Sequence, residues 1–419
     1  MKRVLIIATT TGYQIRSFGK AAEALGVRLV FASDRCDQIE DPWWDQAIPI
    51  RFHDEAASLR SIVTAMASAP PDGVIAVGDR PVTVAARVLE AFGLPGNSTA
   101  AALASRNKLE SRTMLDAAGL AVPAFRPVSI SEDPAEIGLS VPYPVVLKPL
   151  TMSGSRGVIR ADNAREFVSA FNRLRALFDQ SDVRAERENA HGTLLIESFV
   201  PGREYAVEGV LTDGRLQLLA VFDKPDPLDG PFFEETIYVT PSREPEPVQS
   251  RIVSTVVAGA SAIGLRNGPL HAECRVNERG VYVLEIAARP IGGLCSKALR
   301  FVSPLGEASL EEVLLRHALR EDVSSFSRER AASGVMMIPI PRRGIYKGVA
   351  GEREARSVPG IVDVTITAKP DAKLTPLPEG KSYLGFIFAQ APTPLAVEQA
   401  LRAAHAKLKF QIDREIALV

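Results

Sequence analysis

The stretch Gly268–Leu294, GPLHAECRVNERGVYVLEIAARPIGGL, limits what this chain can fold into more than any other segment. Two apolar, β-rich runs flank a turn signal and read as an antiparallel hairpin. With Glu278-Arg279-Gly280 taken as a three-residue loop, Asn277 faces Val281, and Glu273 comes directly opposite Glu285. Strand periodicity then puts Val283, Ala287 and Arg289 on the face that carries the two glutamates. Directly opposed carboxylates repel, and the run around Glu285 is otherwise strongly apolar, so a buried pair needs compensation. A bridging Mg²⁺ supplies it; a Glu–Arg ladder on the surface is the alternative. Arg289 is suited to a phosphoryl or acyl-phosphate oxygen, and Pro290–Gly293 offers backbone N–H groups to a developing oxyanion.

At 419 residues the chain suggests two or three domains. Its 49 basic and 50 acidic residues nearly cancel, which removes any bulk electrostatic case for nucleic acid or a membrane surface. No apolar run approaches the roughly 18 residues of a membrane span. The opening MKRVLIIATTTGYQ has too short an apolar core for a signal peptide and reads as a first strand. The three cysteines, Cys36, Cys274 and Cys295, form no metal-spaced cluster and read as free thiols of a reducing cytosol.

Strand and helix signals alternate through the first hundred residues. Val4–Ala8, Val27–Asp34 and Gly73–Asp79 read as strands of a parallel sheet covered by helices. Thr9–Gly12, Asp34 and Gly78–Asp79 would line its ligand-facing edge. No G-x-G-x-x-G follows the first strand, so a dinucleotide site is not supported. A helix is expected over Ala100–Ala118, stopped by Gly119. Lys108 and Arg112 share one of its faces, and taken alone they read as a solvated basic face.

The run Tyr143–Val158, YPVVLKPLTMSGSRGV, ends a buried strand on Lys148 and continues into a loop of small residues. The order is wrong for a P-loop, where the lysine follows the second glycine. Ser153, Gly154, Ser155 and Gly157 nonetheless let backbone N–H groups converge on an anion. In LLIESFVPGREYAVEGVL, Glu197 ends a strand, and Phe199 and Val200 offer an apolar, backbone-rich site of the kind that holds a purine; an ordinary hairpin corner is the alternative. Six prolines between Asp223 and Pro247 mark a long irregular connection. Beyond about residue 315 short strands and one helix form an α+β appendix.

In this order the motifs resemble the ATP-grasp superfamily of carboxylate–amine ligases. The likeness covers roughly residues 1–315, and NSTAAALASRNKLESRTMLDAAGLAVPAF is similar to the family's entry helix. The resemblance implies a mixed α/β and α+β fold: a Rossmann-like N-terminal domain (1–97), an ATP-grasp domain (98–315, lid about 122–200) and a C-terminal α+β domain (316–419). It implies ATP as cosubstrate with Mg²⁺ or Mn²⁺, and small-molecule carboxylate and amine substrates in the cytoplasm, the chain acting alone or as a homodimer. Lys108 and Lys148 would bind phosphates under the Ser153–Gly157 loop, and Lys224 would also reach them. Glu197, Phe199 and Val200 would bind adenine, the last two partly through their backbone; Glu204 would take a ribose or hinge role. Glu273 and Glu285 would hold the metal, Arg289 the acyl phosphate, and Gly292 and Gly293 would donate beside it. The family often has Asn two residues after the second metal-binding Glu; here that position is Ala287. The tail, IPRRGIYKGVAG to LGFIFAQAPTPLAVEQAL, looks most like the L-amino acid ligases that make dipeptides. Phe233, Glu234 and Glu235 are then candidates for the amino-acid site. His271 reads equally as a base, a supporting group or a structural histidine. A purine-type or biotin-carboxylase-like member, or a silent ATP-binding regulator, is the alternative.

Overall fold

The computed structural model describes residues 1–9, 14–34 and 47–415. Four parallel strands open the fold in the order Ile48–Pro49, Arg28–Ser33, Arg3–Ala8, Gly73–Val77. Successive residues of Arg3–Ala8 enter two different cores, as strand periodicity demands. Leu5 and Ile7 pack with Ile62 and Val84, whereas Val4 and Ile6 pack with Phe18 and Leu314. Both faces are therefore dry, which explains why these strands read as continuous apolar runs. Thr10–Gly12 and Cys36, named in the sequence reading, lie outside the described residues.

A four-stranded antiparallel sheet follows, in the order Phe125–Ser129, Thr193–Ser198, Val145–Pro149, Ile159–Ala161. The helix Ala164–Phe178 covers it through Phe167, Phe171 and Leu174. The largest sheet has eight strands, from Gly280–Ala287 through Gly268–Asn277, Arg203–Thr212, Arg215–Lys224 and Ile237–Thr240 to Ala332–Ile338, Gly385–Ala391 and Ile361–Ile366. Its last three strands come from the expected C-terminal appendix, which thus extends the central sheet instead of standing apart from it.

Three sequence expectations change in detail. The helix over 100–118 is two helices, Thr99–Arg106 and Lys108–Ala117. Asn107 breaks it by leaving the helical region and accepting from the N–H groups of Leu109 and Glu110, an N-cap that starts a new helix at Lys108. The proline-rich connection contains a buried strand, Ile237–Thr240. The hairpin turn has two residues, with Asn277 paired to Gly280, but a register shift between Glu273 and Cys274 restores the expected pairing of Glu273 with Glu285. That bulge rotates Val283 to the opposite face, into the core with Val281 and Ile286.

Candidate active site

A cavity of about 390 Å³ lies where the ends of the parallel strands, the lid sheet and the central sheet meet. At one end Val146, Val158, Leu228, Phe233 and Phe199 form a small apolar cluster. The Phe199 and Phe233 rings lie 6.4 Å apart, and the Arg160 guanidinium sits 4.1 Å above the Phe199 ring. The backbone of the expected adenine segment is partly committed. Phe199 donates its N–H to Pro144, and the Val200 carbonyl accepts from Arg275 at 2.8 Å. The Val200 N–H has no partner among the described residues, so hydrogen-bond capacity toward a purine edge sits there.

Glu197 is 2 % exposed and holds two cations, Arg112 at 2.7 Å and Lys148 at 2.5 Å. Its carboxylate therefore positions Lys148 at the end of Val145–Pro149. Burial opposes the Glu197 anion, but the two cations outweigh it and bring its pKa down to about 2. Burial in turn lowers the pKa of Lys148, against the pull of Glu197. Arg112 is fully buried and also donates to the Leu284 carbonyl, so it is not on a solvated face. Lys108, at the first turn of its helix, donates to the Met152 carbonyl at 2.6 Å and lies 3.7 Å from Glu285. Ser153, Gly154 and Ser155 line the cavity. Gly154 and Ser155 are left-handed, at φ 62° and 56°. Gly157 does not line it: its N–H is spent on the Pro378 carbonyl at 2.8 Å.

Glu273 and Glu285 both face the cavity, as the hairpin pattern implied. Each has a lysine nearby, Glu273 at 3.0 Å from Lys224 and Glu285 at 3.7 Å from Lys108. Glu285 accepts no hydrogen bond among the described residues, and two hard carboxylate oxygens opposed across one ladder are a fitting donor set for Mg²⁺. Arg289 grips Asp79 at 2.9 and 3.4 Å, joining the hairpin to the end of Gly73–Val77. Burial opposes its charge, but Asp79 and Glu285 raise its pKa further. The N–H groups of Gly292 and Gly293 have no partner among the described residues, and Gly293 is left-handed at φ 63°.

Lys224, expected to reach phosphates, is instead surrounded by Glu235 at 2.6 Å, Glu204 at 2.8 Å and Glu273 at 3.0 Å. Carboxylate oxygens of these three glutamates lie within 4.8 Å of one another, and the ammonium among them makes the trio an ion-pair cluster. Arg275 adds a second cation on Glu204, at 2.9 Å. Glu204, which lines the cavity, thus accepts from both Lys224 and Arg275. Burial and Glu273 raise the pKa of Glu235 to about 7, despite Lys224. Glu234 lies outside the cavity lining, with its pKa raised by burial. His271 bonds Glu208 through Nδ1 and lies 3.4 Å from Glu273 through Nε2. Burial lowers its pKa, but Glu208 and Glu273 outweigh that and lift it to about 9. Its two carboxylate partners thus favour the imidazolium form.

Sequence reasoning misread Arg112 as solvated and missed Glu208, together with Tyr238 and the cavity wall from the C-terminal strands, Met337, Tyr383 and Phe386. Only the spacing of Glu204 and Glu208, which puts both on one strand face, was a readable signal. Their partners Arg275 and His271 sit opposite them on Gly268–Asn277.

Comparison with known proteins finds three domain families along the chain. The ATP-grasp N-terminal domain family matches residues 19–96, the ATP-grasp domain family 141–298, and the L-amino acid ligase C-terminal domain 2 family 336–413. The crystal structure of an L-amino acid ligase from Bacillus licheniformis superposes with a TM-score of 0.79 at 24% identity, covering 99% of each chain. An L-arginine-specific L-amino acid ligase of Bacillus subtilis is 21% identical over 374 residues, 87% of each chain. The alanine–anticapsin ligase of Bacillus subtilis is 27% identical over 221 residues, 49% of this chain and 46% of its own. The chain spans between 25% and 46% of the length of three curated relatives that it matches. No helix among the described residues is long and apolar enough to cross a membrane.

Proposed function

We propose that this chain, which matches the ATP-grasp N-terminal, ATP-grasp and L-amino acid ligase C-terminal domain families along its length, is a carboxylate–amine ligase that joins two amino acids through a peptide bond, converting ATP to ADP and phosphate. The observation that carries this reading is the meeting of Lys108, Glu273, Glu285 and Arg289 with the Gly292–Gly293 turn in one cavity. The match of residues 336–413 to the L-amino acid ligase C-terminal domain favours amino acids over other carboxylates and amines. In this reading residues 98–315 carry the nucleotide site, 122–200 its lid, and 316–419 complete the substrate end, in a cytoplasmic enzyme.

A carboxylate resists attack by an amine until one oxygen becomes a leaving group. One carboxylate oxygen attacks the γ-phosphorus, the bond to the β–γ bridging oxygen breaks, and ADP leaves. The neutral amine then adds to the acyl carbon, and the tetrahedral adduct collapses to the amide as the C–O bond to phosphate breaks and the departing phosphate takes up the proton the amine gives up. Lys108 and Lys148 neutralise phosphate oxygens, and Glu197 keeps Lys148 in place. Arg289 holds the acyl-phosphate oxygens, fixed by Asp79. The N–H groups of Gly292 and Gly293 stabilise the oxyanion. Glu273 and Glu285 would hold Mg²⁺, which when bound offsets negative charge on the transferred phosphoryl group. The apolar cluster around Phe199 and Phe233 takes the adenine.

The test is ADP and phosphate release with Mg-ATP against a matrix of paired L-amino acids, with products read by mass spectrometry. Release that needs two amino acids, with a product one water lighter than their sum, supports the reading. Release driven by bicarbonate, formate or a ribonucleotide amine instead would move the chain to another branch of the superfamily. ATP binding with no release under any condition would make it a regulator.

A further inference from the structure

The end of the cavity away from Phe199 has a composition that the chemistry above does not use. Beyond Arg289 and the Gly292–Gly293 turn, its wall is Tyr238, Cys295, Met337, Tyr383 and Phe386. Four of these are at most 5 % exposed. The wall is preorganised by ring packing: Phe386 lies 6.2 Å from Tyr383 and stacks on Phe388 at 6.4 Å. Gly293 closes against it, since a Cβ there would stand 3.2 Å from the Phe386 ring. The turn that offers N–H groups to the reacting carbonyl is therefore in direct contact with an aromatic wall.

The polar atoms bordering this wall are already matched to one another. Lys224 has three N–H donors and three carboxylates around it. Both oxygens of Glu235 are taken, one by Lys224 and one by the Tyr238 hydroxyl at 2.9 Å. Burial raises the pKa of the Cys295 thiol, which leaves it neutral. The Tyr383 hydroxyl has no hydrogen-bond partner among the described residues. Among the described residues a charged side chain entering here would find no free counter-charge, and it would lose its hydration. An apolar one would exchange water for aromatic and thioether surface.

We infer that this wall is the side-chain pocket of the carboxylate donor and that it selects a large apolar amino acid, of leucine, methionine or phenylalanine size. The pocket belongs to the donor because it continues from Arg289 and Gly292–Gly293, where the donor carbonyl is activated. The activated residue becomes the acyl half of the product, so the apolar residue is the N-terminal one of the dipeptide. This inference rests on the ligase reading above.

The experiment measures kcat/KM for each donor at a saturating common amine, with product order read by tandem mass spectrometry. Leucine, methionine and phenylalanine should exceed glycine, aspartate and arginine by on the order of 100-fold, the discrimination an apolar pocket supplies. The apolar residue should be at the N-terminus. Tyr383→Ala, at a half-buried position, should reduce the phenylalanine-to-alanine ratio about tenfold, and Met337→Phe should reduce it further by filling the pocket. Circular dichroism identifies a variant that fails to fold, and the wild-type donor ranking stands without either. Preference for charged or very small donors, or apolar residues only at the C-terminus, overturns the inference and leaves the ligase intact. Absence of an amide product with every pair removes the ligase reading, and this inference with it.

Discussion

Glu197→Gln is the substitution whose consequences come most directly from the geometry. The carboxylate is 2 % exposed between Arg112 and Lys148, at 2.7 and 2.5 Å. Its pKa falls from the ordinary 4.5 to about 2 in the fold. At about 1.4 kcal/mol per pH unit the anion contributes about 3 kcal/mol above pH 4.5. The sign is set by the depressed value: that stability is complete above about 4.5 and is lost as pH falls toward 2. Glutamine keeps the shape but leaves two buried cations facing a neutral amide, and breaking a buried pair from one side costs about 3–5 kcal/mol. For a cooperative unit of about 200 residues this lowers Tm by about 6–20 °C. Lys148 also loses what holds it, so the KM for ATP should rise about tenfold or more. Differential scanning fluorimetry from pH 8 to pH 3, with ATP titrations at pH 8, reads both effects. The wild-type protein should lose its advantage over the variant as pH falls below 4.5. An unchanged Tm at pH 8, or a wild-type advantage that persists undiminished at pH 3, would refute the reasoning.

Further outcomes are expected from the rest of the site. Glu285→Gln removes a side chain whose one ion pair is 3.7 Å long, so Tm should move by less than about 2 °C while kcat falls at least about 100-fold. Chelation by EDTA should abolish amide formation, and added Mg²⁺ or Mn²⁺ should restore it. Asp79→Asn loosens the grip on Arg289 and should lower kcat about tenfold or more with little change in the KM for ATP, measured by coupled ADP release. Glu379→Ala frees Arg173 from its two-pronged contact and weakens the seat of the lid loop on residues 378–379. Trypsin should then cut after Arg156 severalfold faster, as read by gel and mass spectrometry.

The hairpin shows how far a sequence can be read. Glu273 opposite Glu285 came from strand periodicity and turn chemistry, both local properties. The same reasoning put Val283 on the wrong face because a bulge, invisible in the pattern, offsets a turn one residue shorter than expected. The parallel sheet and the lysine at the end of Val145–Pro149 were legible for the same local reason: continuous apolar runs ending on polar residues. Asn107 was misread because a mid-pattern asparagine looks like a tolerated helical residue until its side chain is seen capping the helix Lys108–Ala117.

The hidden part of the site is long-range. Arg112 looked like half of a basic face, and nothing within eighty residues of it announces Glu197. The spacing of Glu204 and Glu208 shows a shared strand face, but their partners appear only when Gly268–Asn277 pairs beside them and brings Arg275 and His271 opposite. His271 illustrates the cost of reading a residue type without its neighbours. Sequence alone left it open between a base, a supporting group and a structural histidine, and the fold adds that it bonds Glu208 and lies beside Glu273, two carboxylates that raise its pKa. Met337, Tyr383 and Phe386 were unreadable for a further reason. Apolar residues in short strands pattern like core, and only the insertion of Ala332–Ile338 and Gly385–Ala391 into the central sheet brings them to the cavity. The charges that end a local pattern, Lys148, Glu273 and Glu285, were therefore readable; their long-range partners and the apolar wall alike depend on which strand lies beside which.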